Sequence, residues 1–175
     1  MKKILFVLLG LFIGACANAE SPQVQYIKGM YELNASLAKG SITEDNDLNI
    51  YNDVDQSFFL DYLDSNIKKI YARNDEYQEA TGDMACIDHN VLWQGQDLNP
   101  FAKLTFTEPS ADRVKVTIGA TWDLEERSVT YQVKCQKDGD CKITEIFEYG
   151  KPFTKVTSKC LDDFYRTEIK KHRNK

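Results

Sequence analysis

Histidine is scarce: His89 and His172 are the only two in 175 residues. Imidazole proton transfer and histidine-rich metal sites therefore have almost nothing to draw on. Basic charge is in deficit as well. Twenty-two Lys plus Arg against 27 Asp plus Glu leave a net charge of -5, the wrong sign for an electrostatic grip on nucleic acid or anionic lipid. The longest apolar run, Ile4 to Ala15, is too short to span a bilayer. There is no G-x-S-x-G, P-loop, H-E-x-x-H or G-x-G-x-x-G. Asp45-Asn46-Asp47-Leu48-Asn49 begins like a calcium loop, but Ile50 stands where the sharp turn needs Gly, and Gln56 where a bidentate Glu is needed. The chain is also short for two large domains, and its composition, 42% hydrophobic and 28% charged, reads as one soluble globular unit.

What is present begins with an export signal. Lys2 and Lys3 precede the Ile4–Ala15 run, the arrangement of a secretory leader. Two cleavages are open. Ala17-Asn18-Ala19 before Glu20 suits ordinary signal peptidase and gives residues 1–19 as leader, with a soluble periplasmic domain over 20–175. Ile13-Gly14-Ala15-Cys16 resembles a lipobox, which would leave a lipidated Cys16 anchoring the chain to a membrane of the cell envelope. The first is favoured, because the lipobox has Ile where Leu is usual. Charge in the remaining chain is lopsided: residues 41–100 hold 13 acids against three bases, and residues 101–175 hold 12 acids against 15 bases. Glu44, Asp45, Asp47, Asp53, Asp55, Asp88 and Asp97 are the acidic-surface candidates, which would steer a basic protein partner.

Either cleavage leaves Cys86, Cys135, Cys141 and Cys160, an even count that predicts two disulfides in an oxidising compartment. Cys135 and Cys141 flank Gln-Lys-Asp-Gly-Asp, whose Asp138-Gly139 marks a hairpin turn. That pairing leaves Cys86 with Cys160. A zinc site is not expected, since there is no C-x-x-C and the histidines are isolated. No cofactor is expected either.

Hydrophobic spacing organises the rest. Ser21-Pro22 starts a helix whose Val24, Ile27, Met30, Tyr31 and Leu37 recur at helical intervals to Gly40. A second helix is predicted from about Asp55 to Arg73, with Phe58, Phe59, Tyr62, Leu63, Ile67, Ile70 and Tyr71 along one side. Thr81-Gly82 marks a break before an irregular stretch to Pro100. The period then becomes two: Ala102 to Thr107 and Arg113 to Ile118 alternate around a turn at Pro109-Ser110, followed by strands at Val129–Cys135 and Lys142–Tyr149. Ser158 to His172 closes the chain as a helix. The expected class is α+β: two N-terminal helices on a four-stranded antiparallel meander, with a C-terminal helix.

If Cys135 lies opposite Cys141, then Val133 faces Ile143, Tyr131 faces Glu145 and Val129 faces Phe147 on the buried side. Tyr131 and Glu145 would then form a small-ligand pocket. The competing register has a bulge near Glu145 that turns Ile146 inward and Glu145 outward, and it is favoured because Ile146 otherwise faces water. His89 beside Asp88 is the one base candidate, but adjacent residues on an irregular segment rarely orient each other, so no catalytic residue is assigned.

The order helix, helix, acidic segment, meander resembles the cone-shaped domains related to nuclear transport factor 2. More narrowly, Ala85 to Asp97 resembles a segment of the exported bacterial family DUF 3828, with Asp88, Gln96 and Asp97 at matching positions and Asn90-Val91 where that family has Asp-Pro. The resemblance implies a cone-like fold and an accessory or binding role without established enzymatic activity. Together these features lead to an expectation of a noncatalytic envelope protein that binds a protein partner, of inhibitor or immunity type. A cone-pocket ligand binder or weak enzyme, and an accessory lipoprotein, are the alternatives.

Overall fold

The computed structural model describes residues 20–40, 57–96, 102–121 and 124–173. Its elements run α1 (Pro22–Gly40), α2 (Ser57–Tyr62), α3 (Ser65–Thr81), β1 (Leu104–Ser110), β2 (Arg113–Ile118), β3 (Arg127–Cys135), β4 (Cys141–Glu148), β5 (Lys151–Pro152) and α4 (Phe153–Arg173). The five strands form one antiparallel sheet in sequential order, so the class is α+β as expected, with the two-residue β5 added to the expected four strands. The leader, Cys16, and the acids Glu44, Asp45, Asp47, Asp53, Asp55 and Asp97 lie outside the described residues.

Helix α1 starts where Ser21 Oγ accepts from the Val24 N–H at 3.2 Å, the N-cap role its position predicts. The single second helix is corrected to two. Asp64, inside the expected helix, leaves the helical path (φ -72°, ψ 170°) and accepts from the Asn66 and Ile67 N–H groups. Leu63 bridges to Ile143, and the Asp64 N–H donates to the Ile143 carbonyl at 2.9 Å. The helix is interrupted because the sheet takes that backbone. Its continuation runs past Arg73 to Thr81, where Gly82 closes it at φ 71°.

The sheet follows the alternation, with Val114, Val116, Ile118, Val129, Tyr131 and Val133 buried on its inner face. Strand β1 extends through Pro109-Ser110, so the turn falls at Ala111-Asp112 instead. The closing helix begins five residues earlier than expected, at Phe153. Thr157, buried between Phe153 and Leu161, hid the first turn of its apolar stripe. One core joins the inner sheet face to α1, α3 and α4.

Cys86 is bonded to Cys160 and Cys135 to Cys141, the expected pairing. Two disulfides point to an oxidising compartment. Among the described residues, no helix is long and apolar enough to cross a membrane. The Cys86–Cys160 bond spans 74 positions against 6 for the hairpin bond. On the chain-entropy relation it stabilises by about 4 kcal/mol, the short loop by about 2. Denaturant unfolding should rank Cys86→Ser/Cys160→Ser below Cys135→Ser/Cys141→Ser; the reverse order would contradict this account.

Candidate functional site

The register of β3 against β4 decides which acid enters the interior. Cys135 faces Cys141 and Val133 faces Ile143, but then the pairing shifts: Gln132 faces Glu145, Tyr131 faces Ile146, Thr130 faces Phe147 and Val129 faces Glu148. Thr144 is the extra residue of a bulge, so the bulged register holds. The Tyr131–Glu145 and Val129–Phe147 pairings are corrected: Tyr131 faces the core opposite Ile146, while Glu145 lies opposite Gln132. Ile146 is fully buried, and Phe147 stands on the outer face under the Arg113 guanidinium, 4.3 Å from its ring centre.

Glu145, turned outward, has a structural role. Its carboxylate accepts from the Ile146 and Thr154 N–H groups at 2.9 and 3.1 Å and from the Thr154 hydroxyl at 2.5 Å. An anion at the free N–H groups of a helix start satisfies donors and complements the dipole. Glu145 therefore caps α4 from a neighbouring strand.

The inward acid is Glu148. One of its oxygens accepts from Gln94 Nε2 at 2.6 Å and lies 2.8 Å from His89 Nε2. The other ring nitrogen, Nδ1, is 3.1 Å from Asp88 Oδ1. The adjacent Asp88 and His89 do bond, contrary to the expectation, because residues 85–96 are held rigidly. Asn74 Oδ1 accepts from the Cys86 and Ile87 N–H groups, and Asn90 Oδ1 from those of Leu92 and Trp93. Gln96 Nε2 donates to the Asp88 carbonyl at 2.8 Å, joining two of the positions that carry the family resemblance. Trp93 Nε1 donates to Asn34 Oδ1 at 2.7 Å, and Arg127 Nε to the Trp93 carbonyl at 2.6 Å.

Carboxylate oxygens only accept, so both imidazole nitrogens carry protons. The hydrogen bond to Glu148 is the largest cause raising the His89 pKa, to about 9, with Asp88 adding to it against the opposing effect of burial. The imidazolium has no lone pair with which to take a proton from a substrate at neutral pH. It borders an open cleft of about 330 Å³ walled by Gln78, Met84, Ile87, Asp88, Asn90 and Gln96. Asp88 is the one called acidic-surface residue that is described, and it faces His89.

Behind Glu148 lies a tyrosine chain. The Tyr31 hydroxyl donates to the Leu92 carbonyl at 2.7 Å and so receives the Tyr131 hydroxyl at 2.9 Å. Burial pushes both phenols well above their ordinary range, which keeps them neutral donors. Tyr71 OH, Gln94 Oε1 and Arg127 Nη2 are buried without a hydrogen-bond partner among the described residues. Gln94 also holds φ at 52°, a left-handed backbone uncommon outside glycine. Glu148, Gln94 and Arg127 were not singled out from sequence; a one-residue slip in β4 hid the first, and the polar runs around the others carry no spacing signal. Set against protein-family models, curated proteins and solved structures, the chain matches none.

The site generates a titration test. His89 is raised above its unfolded value of 6.5, so its contribution to stability is complete below pH 6.5 and is lost as pH rises through about 9. Imidazole NMR should titrate near pH 9, and in Glu148→Gln the midpoint should fall back toward 6.5. An unshifted midpoint in the unmodified protein would refute the double clamp. Glu145→Ala should lower stability by about 1–2 kcal/mol through loss of the α4 cap, without moving that midpoint.

Proposed function

We propose that this is a noncatalytic binding protein of the periplasm or outer envelope that acts on a protein partner, of the inhibitor or immunity type. The observation that carries the reading is the closed state of its one candidate base: His89 is held at both nitrogens by Asp88 and Glu148. Glu145 and the tyrosine pair are also committed. Glu145 caps a helix, and the Tyr31 and Tyr131 hydroxyls satisfy each other. The two disulfides suit a periplasmic setting, and the acidic excess of residues 41–100 would steer a basic partner.

A small-ligand reading draws support from Tyr71 OH, Gln94 Oε1 and Arg127 Nη2, three buried polar atoms without partners among the described residues, since such atoms are costly unless something completes them. The cone-domain resemblance is compatible with either reading. The accessory-lipoprotein reading stands on Cys16.

Affinity capture from an envelope extract should retain a basic protein, with retention falling as salt rises, because exposed charges are screened beyond about 8 Å at physiological ionic strength. Charge reversal at Asp45, Asp47 and Asp53 should slow association more than it speeds dissociation. Capture of no protein, together with a small-molecule thermal shift that vanishes in Gln94→Ala, would replace this reading with the ligand pocket.

A further inference from the structure

The carboxyl half of the chain, which holds more bases than acids, builds a second surface of opposite sign. Beside the β4–β5 turn, α4 forms an open groove of about 530 Å³. Pro152, Val156, Cys160 and Phe164 supply its apolar wall, and Lys151, Lys155 and Lys159 flank it together with one acid, Asp163. Lys155 and Lys159 are one turn apart and share a helix face. Among the described residues, Lys159 pairs with Asp163 at 2.7 Å, while Lys151 and Lys155 have no acidic partner. Val156 is 49% exposed, and folding gains little from an apolar side chain left in water.

The same turn carries Tyr149, 81% exposed, at φ 50°. A large aromatic in a strained conformation and in solvent is not explained by packing, whereas rigid exposed tyrosines are common anchors of binding surfaces. Tyr149-Gly150 is a two-residue turn with both φ values positive, and the paired residues Glu148 and Lys151 on either side fix it. Lys151 and Pro152 follow directly and enter the groove.

We propose that this groove docks an acidic amphipathic segment of a partner protein. Charge complementarity names the occupant: carboxylates meet Lys151 and Lys155, and compete with Asp163 for Lys159, while apolar side chains cover Val156 and Phe164, the arrangement of helix-in-groove recognition. A concave trough suits a rod-like segment better than a flat bilayer. The inference goes beyond the acidic-face reading and uses a different surface.

Fluorescence anisotropy with a labelled peptide of repeated Glu-Glu-Leu-Leu units, against its Lys-for-Glu counterpart, tests it. The acidic peptide alone should bind, with an affinity that falls as salt rises. Lys151→Glu/Lys155→Glu/Lys159→Glu should weaken it at least about tenfold, and Val156→Glu should weaken it with the lysines intact. Circular dichroism and disulfide mapping check that both variants fold. Equal binding of the two peptides, no binding, or full affinity in the triple variant would overturn the proposal. Phosphatidylglycerol vesicles binding through the three lysines while the peptide does not would assign the groove to a membrane. Self-association abolished by the triple reversal, again without peptide binding, would assign it to a second copy. Failure of the peptide to bind, with envelope capture retained by the triple variant, refutes the groove alone, whereas absence of protein capture by the unmodified protein refutes the protein-binding reading.

Discussion

The bulge at Thr144 sets most of what is distinctive in this molecule. Before it, Cys141 and Ile143 keep the pairing that the hairpin disulfide requires. After it, every side chain of β4 changes face relative to a continuous ladder, because the pleat has a period of two. Ile146 enters the core, Glu148 follows it inward, Phe147 moves out under Arg113, and Glu145 reaches the start of α4. An unbulged strand would bury Glu145 and expose Ile146, losing apolar burial and leaving the first turn of α4 without its acceptor.

An inward carboxylate needs compensation in a low-dielectric setting, and the segment 85–96 provides it. His89 and Gln94 both reach Glu148, but only because their backbone is fixed by side chains from elsewhere: Asn74 on α3, Asn34 on α1 and Arg127 on β3. The long disulfide adds a covalent tie between that segment and α4. The loop thus behaves as part of the core even though it has little regular structure. Gln94 shows the local cost, with a left-handed backbone and an amide oxygen lacking a partner.

Legibility in the sequence tracked the range of the interactions responsible. Patterns of period two and 3.6 located α1, the four main strands and the closing helix, because burial against one face imposes them locally. Cysteine spacing led to both disulfides, since a turn signal between two cysteines is itself local. The interruption at Asp64 was not legible: the apolar stripe runs through it, and its cause is a backbone contact with Ile143 from a distant strand. The start of α4 was missed for a related reason, its capping oxygen belonging to Glu145 rather than to a residue just before the helix. The Glu148–His89–Gln94 cluster joins residues 54 and 59 positions apart, and no spacing rule reaches across that distance.

The cluster and the groove are mechanically continuous. Glu148 is the last residue of β4, Tyr149-Gly150 turns the chain, and Lys151-Pro152 pairs back before α4 begins. On the other side, Cys86 lies three positions from His89 and is bonded to Cys160 in the groove wall. The β4–β5 turn is therefore held at its base by the His89–Glu148 contact, while the groove wall is held by the disulfide. An exposed surface fixed at both points loses little conformational freedom when something docks on it, and low ordering cost is a main determinant of affinity at small interfaces. The half-buried ion pair thereby does more than satisfy Glu148: it holds the Tyr149 turn and Lys151 in place beside the groove.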